Sequence, residues 1–209
     1  MSTVLIFAGG DAPDVGLLQE LPDSDVVVAA DSGYDHAVGL GLRVDVLVGD
    51  MDSITSTPLP RHVVVERHPT DKDATDLELA LDFVARDSPD RVVVVGGSGG
   101  RVDHELATAG LMCSARWPSI DDLDWVSNRG WIYVIRERRI IHGDKGSSLS
   151  LVPLGGSARS VTTKGLKWEL KGETIEAGST RGVSNVMTGP TVDIAVEDGC
   201  LLAVVPLLV

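Results

Sequence analysis

The chain has 209 residues, 43% of them hydrophobic and 23% charged, enough to bury a core as one large domain or two smaller ones. Its net charge of -13 denies it the cationic footprint of a nucleic-acid binder, so no nucleic-acid partner is expected. No apolar run reaches the ~18 residues of a membrane helix, which argues equally against a membrane partner. Val4-Leu5-Ile6-Phe7 has no basic stretch ahead of it and reads as a first strand, not a secretion leader. Cys113 and Cys200 are far apart, in apolar contexts and without metal or redox spacing; they read as small core residues of a reducing, cytoplasmic compartment.

Short apolar runs follow at Val26–Val28, Val44–Val48 (interrupted by Asp45), Val63–Val65 and Val92–Val95. Such runs mark strands buried on both faces, as in parallel sheets. Between the last two, Leu77, Ala80, Leu81 and Val84 repeat at helical spacing behind the capping box Thr75-Asp76-Leu77-Glu78. A second helix is expected from about Asp103, with Leu106, Ala109, Gly110 and Cys113 on one face. The expected architecture for residues 1–136 is therefore α/β, an open and mainly parallel sheet with helices on both faces.

Beyond the charged stretch Arg136-Glu137-Arg138-Arg139 the texture changes. Runs at Ser148–Val152, Ser160–Thr163, Thr191–Val196 and Leu201–Val205 are separated by Gly- and Pro-containing turns, and no helical period survives. Residues 137–209 are expected to form a small all-β sandwich.

The acidic residues are unevenly placed: residues 1–76 hold fourteen Asp or Glu against four Lys or Arg. Asp31 follows the second apolar run, Asp50 and Asp52 the third, and Lys72, Asp73 and Asp76 lie between the fourth and its helix. Arg101, Asp103 and His104 follow the fifth through Gly96-Gly97-Ser98-Gly99-Gly100. Ligands of open α/β sheets bind beyond the carboxyl ends of strands, so one rim collects all of these groups. Hard carboxylate oxygens there suit Mg²⁺, and Mg²⁺ beside Arg101 and Lys72 suits phosphoryl transfer. No lysine follows a glycine in the manner of a Walker loop. There is also no G-x-G-x-x-G and no Cys/His zinc spacing.

Six segments carry a resemblance: Ala30-Asp31-Ser32-Gly33, Gly49-Asp50-Met51-Asp52-Ser53-Ile54, Lys72-Asp73-Ala74-Thr75-Asp76-Leu77-Glu78, Gly99-Gly100-Arg101-Val102-Asp103-His104, Gly165-Leu166-Lys167-Trp168 and Gly182-Val183-Ser184-Asn185. In this order they resemble the thiamin pyrophosphokinases of bacterial type. The resemblance implies transfer of the pyrophosphoryl group of ATP to the hydroxyl of thiamine, giving thiamine diphosphate and AMP. It implies Asp50, Asp52 and Asp76 as Mg²⁺ ligands with Asp31 close by, and Lys72, Thr75, Arg101, Asp103 and His104 at the ATP site. Trp168, Ser184 and Asn185 would lie at the thiamine pocket of a cytoplasmic homodimer, with thiamine bound where two subunits meet. A cation such as thiamine is well served by the face of a tryptophan. Two alternatives stay open on the residues: the same transfer onto a pterin alcohol, and a non-catalytic thiamine or nucleotide sensor.

Overall fold

The computed structural model describes residues 2–207 and divides into two compact units. One comprises the residues up to Leu111 together with Ala115–Asn128; the other comprises Met112–Ser114 and the residues from Arg129 onward.

In the first unit the apolar runs become strands β1 (Thr3–Phe7), β2 (Val26–Ala30), β3 (Val46–Gly49), β4 (Val64–Arg67), β5 (Arg91–Val95) and β6 (Asp122–Ser127). They lie in the order β6-β5-β1-β2-β3-β4, every neighbouring pair parallel. Val92 to Val95 are completely inaccessible, which explains a run with no polar alternation. Each such valine contributes roughly 1.5–3 kcal/mol by leaving water. The fourth run departs from the expected burial on both faces. Its strand is the sheet edge, and Val64 and Val65 are exposed.

Three helices accompany these strands: α1 (Gly33–Gly39), α2 (Asp76–Ala85) and α3 (Val102–Met112). The Thr75 hydroxyl caps α2 by accepting from the Glu78 N–H at 3.2 Å. Leu77, Ala80, Leu81 and Val84 are the buried face, packed over β1, β2 and β3, as their spacing predicts. In α3 the outcome is different. Leu106 and Val102 are each 69% exposed, and Thr108 and Met112 face inward instead. The helix turns Val102 and Leu106 outward, which a helical period alone does not reveal.

The second unit is antiparallel throughout. Strands β7 (Gly130–Ile135), β8 (Arg138–His142), β9 (Ser148–Pro153), β10 (Ala158–Lys164), β11 (Lys171–Ile175), β12 (Asn185–Val186), β13 (Thr191–Ala195) and β14 (Leu201–Pro206) form two layers. The layers are ordered β12-β9-β14-β7 and β11-β10-β13-β8. Inward residues alternate along β9 and β13, and Leu149, Leu151, Val161, Ile175, Val192 and Ile194 form the core. The chain crosses from one layer to the other at Arg136-Glu137. Arg138, in β8, then pairs with Asp193 of β13 at 2.8 and 2.9 Å. Cys113 and Cys200 also meet in this unit, thiol to thiol beside Arg136, and are only partly buried. Folding thus gives two cysteines without a common motif a common environment.

Among the described residues no helix is long and apolar enough to cross a membrane.

Candidate functional site

The order in which the chain adds strands to the parallel sheet reverses at β1, which has β2 on one side and β5 on the other. Loops after β1 and β5 must part there, and a crevice opens at their carboxyl ends. Gly9 and Gly97 close its floor through a Gly97 N–H bond to Gly9 O at 2.8 Å, and Asp11 N–H reaches Ser98 O at 2.8 Å. A cavity of about 800 Å³ lies over this point, lined among others by Asp31, Lys72, Thr75, Asp76, Arg101 and His104.

Beside it the chain brings carboxylates together by unusual backbone. Asp31, directly after β2, sits at φ 45°, and Met51, between Asp50 and Asp52, at φ 66°. Left-handed residues other than glycine are uncommon and cluster at functional sites. Gly49 has φ 143°, and a Cβ on it would stand 2.8 Å from Asp76 Oδ1 and 3.4 Å from Asp31 Cβ. Only glycine lets these carboxylates converge. Oxygen atoms of Asp31, Asp50 and Asp52 lie within 4.8 Å of one another.

One lysine offsets part of this negative charge. Lys72 Nζ lies 3.0 Å from Asp50 Oδ2 and 3.1 Å from Asp76 Oδ1, with only 13% of its side chain exposed. Burial alone would lower the Lys72 pKa, but Asp50 and Asp76 outweigh it and hold it above the usual value. Asp50 is held below the usual carboxylate range by the Asp52 N–H and then by Lys72. Asp31 goes the other way: burial pushes it up, and the charges of Asp76 and Asp50 add to the push. Asp31 Oδ1 is buried without a hydrogen-bond donor, and Asp76 Oδ1 meets only the Lys72 ammonium among the described residues. A hard-oxygen set with such an orphaned atom fits a divalent cation of the Mg²⁺ type.

Arg101 makes a two-point pair with Asp103, both exposed, which holds Asp103 down at about 2. Arg101 and His104 line the cavity, whereas Asp103 lies outside its lining.

A second cavity, of about 570 Å³, lies in the other unit between Trp168, Arg181, Val183, Ser184 and Asn185. Trp168 is 56% exposed, with the Lys167 ammonium 4.6 Å from its ring centre. Asn185 is buried and spent on the backbone of Trp168. Its Oδ1 accepts from Trp168 N–H at 3.1 Å and its Nδ2 donates to Trp168 O at 2.7 Å. Ser184 stands at φ 61° and is exposed, with its N–H on Ser150 Oγ at 3.0 Å. Gly182 lies so close to β9 that a Cβ would come within 2.4 Å of Leu151 O.

The two units match two known domains in the same order. The family described as "Thiamin pyrophosphokinase, catalytic domain" matches residues 17–121, and "Thiamin pyrophosphokinase, vitamin B1 binding domain" matches residues 134–201. The chain belongs to the thiamin pyrophosphokinase family. A thiamine pyrophosphokinase of Bacillus subtilis is 27% identical over 195 residues, covering 88% of this chain and 89% of that one. Thiamine pyrophosphokinase 1 of Oryza sativa subsp. japonica is 30% identical over 174 residues, covering 75% of this chain but 64% of the rice protein's length. The crystal structure of the Bacillus subtilis thiamine pyrophosphokinase superimposes with a TM-score of 0.85 at 25% identity over the whole of both chains. Thiamin pyrophosphokinase from Candida albicans, 15% identical with a TM-score of 0.78, shares the fold.

Within this family frame the structure gathers Asp31, Lys72, Thr75, Asp76, Arg101 and His104 at one cavity, Asp50 and Asp52 beside it, and Trp168, Ser184 and Asn185 at another. Sequence reasoning missed Gly9, Gly10 and Asp11, although they follow the first strand and the strand-end rule points to them. It also missed Asp35 and Arg181, which no pattern marks.

Asp31→Asn is expected to stabilise the metal-free protein. A carboxyl whose folded pKa lies above its unfolded value penalises folding once ionised. That penalty is fully present above the folded pKa and absent below the unfolded one. Asparagine removes the charge and tolerates the left-handed backbone. Thermal unfolding near neutral pH, without divalent cations, should show a higher midpoint, about 2–4 °C per kcal/mol for a chain of this size. Addition of Mg²⁺ should raise the midpoint of the wild type and leave that of the variant unchanged. A lower midpoint for the metal-free variant would refute the reading.

Proposed function

We propose that the chain is a thiamine diphosphokinase, acting in the cytoplasm, that transfers the pyrophosphoryl group of ATP to the hydroxyl of thiamine and yields thiamine diphosphate and AMP. The observation that carries the reading is the convergence of Asp31, Asp50 and Asp52 beside a strand-end cavity that also holds Lys72 and Arg101, in a chain with a vitamin B1 binding domain.

Asp31, Asp50 and Asp52 would hold Mg²⁺, with Asp76 added by the family pattern and by the Lys72 ammonium it shares with Asp50. When bound, the metal supplies charge neutralisation at the phosphate oxygens. Arg101 presents a planar fork, now turned to the Asp103 carboxylate, that matches a phosphate equally well. Lys72 offers an ammonium to a second phosphate oxygen. Trp168 offers its ring face to the thiamine cation, and Asn185 fixes the Trp168 backbone so that this face stays presented. Holding the alcohol in line with the departing AMP supplies much of the acceleration in such a transfer.

The proposal includes a homodimer with thiamine bound at the subunit interface. Its support is exposed apolar surface in each unit: Val102 and Leu106 on α3, and Trp168 and Val183 at the second cavity.

The test is AMP release from ATP and Mg²⁺ with and without thiamine, with chromatographic detection of thiamine diphosphate. Thiamine-dependent AMP matched by thiamine diphosphate is the expected result. Release on a pterin alcohol but not on thiamine, or thiamine binding without turnover, would overturn it.

A further inference from the structure

Asp35 belongs to no motif of the chain, yet its carboxylate is engaged on every side. It lies on α1, one turn beyond Asp31, and is partly buried. Its Oδ2 accepts from both the backbone N–H and the hydroxyl of Thr55 at 2.8 Å, and its Oδ1 accepts from the Ser56 N–H at 2.9 Å. Burial would raise its pKa, but the donors of Ser56 and Thr55 hold it down at about 2, so it is fully ionised across the neutral range.

Thr55 and Ser56 lie in the segment that leaves β3 at Gly49 and carries Asp50 and Asp52. That segment has no helix or strand before β4 begins at Val64. Near the carboxylates, Lys72 Nζ and Arg67 Nη1 reach Asp50 at 3.0 and 3.3 Å, while the bonds at Asp52 are short-range, from its N–H to Asp50 Oδ1 at 3.2 Å and from Ser53 Oγ to its Oδ1 at 2.8 Å. Exposed segments held in this way open readily. A force also pushes this one outward: carboxylates of Asp31, Asp50 and Asp52 crowd within 4.8 Å, and like charges at that range repel. Lys72 relieves the repulsion at Asp50 but makes no contact with Asp52.

We propose that Asp35 is a positioning residue whose carboxylate clamps Thr55 and Ser56, so that Asp50 and Asp52 stay gathered against Asp31 before a metal arrives. Asp31 leads into α1 and Asp35 lies in its first turn, so the clamp fixes the Asp50–Ser56 segment beside the residue that supplies the third carboxylate. The inference rests on the metal reading given above. It adds that the affinity for the metal depends on a residue that never touches it.

The experiment is Mn²⁺ binding to the full chain, followed by electron paramagnetic resonance without nucleotide or thiamine, for wild type and Asp35→Ala. Amide hydrogen exchange at Thr55 and Ser56 is measured on the same samples. The variant is expected to exchange faster at both amides and to bind Mn²⁺ roughly 10- to 100-fold more weakly. Its turnover at saturating Mg²⁺ and its KM for thiamine should stay close to wild type. A merely structural residue would lower the unfolding temperature without this split. Should Asp35→Ala fold poorly, Thr55→Val removes the hydroxyl donor alone and should weaken Mn²⁺ binding in the same direction by less. Freed amides with wild-type Mn²⁺ affinity would overturn the proposal, as would amides that stay protected in Asp35→Ala. A wild type that binds no Mn²⁺ would overturn the metal reading, and the clamp with it.

Discussion

Asp52→Asn is expected to lower turnover by at least about 10³-fold while the protein folds as before. Asp52 is exposed, and among the described residues its carboxylate accepts from the neighbouring Ser53 hydroxyl alone, so an amide of the same shape disturbs little. Its charge matters only through the gathered set with Asp31 and Asp50. Asp50→Asn should lose activity to a similar degree, with a small added loss of stability, because it also deprives Lys72 of one of its two carboxylates. Turnover with ATP, Mg²⁺ and thiamine is measured alongside far-ultraviolet circular dichroism. A folded Asp52→Asn protein with near-normal turnover would remove Asp52 from the metal set.

Trp168→Ala is expected to weaken thiamine binding by about 30-fold, equivalent to ~2 kcal/mol for a cation held over an indole in a desolvated site. ATP affinity should change by less than about twofold, since Trp168 lies in a different unit from the Asp31 cavity. Calorimetric titration with each ligand separates the two. The ring is 56% exposed, so its removal leaves the core of that unit nearly untouched. The Lys167 ammonium already sits 4.6 Å from the ring centre. A bound thiamine therefore takes the opposite face or moves that lysine aside. Equal losses for both ligands would show that Trp168 acts on the fold instead.

The strands of the first unit were legible because parallel strands leave no polar residue inside them: Val92–Val95 announces β5 without any alternation. Asp31, Asp50 and Asp76 were legible for the same reason, as each follows an apolar run directly or opens the capped helix beyond it. The exposed face of α3 was not legible. Leu106 at helical spacing reads as core, and only packing shows that Thr108 and Met112 took that place. Strands β7 and β8 were hidden behind Arg136–Arg139, because arginines that pair across strands look in sequence like a boundary. Asp35 was illegible because its function lies in three hydrogen bonds to residues twenty positions away, and spacing along the chain carries no trace of them.

Lys72 gives the acidic cavity its own counter-ion, placed where metal-binding oxygens converge. On the proposed reading, a divalent cation arriving alone would have to share Asp50 and Asp76 with that ammonium, and a triphosphate arriving alone would meet an ammonium already paired. With both present, the carboxylates would be free to hold the metal and Lys72 to hold phosphate. Each ligand would then ease the binding of the other, and thermodynamic linkage would make the gain reciprocal, each raising the other's affinity by the same factor.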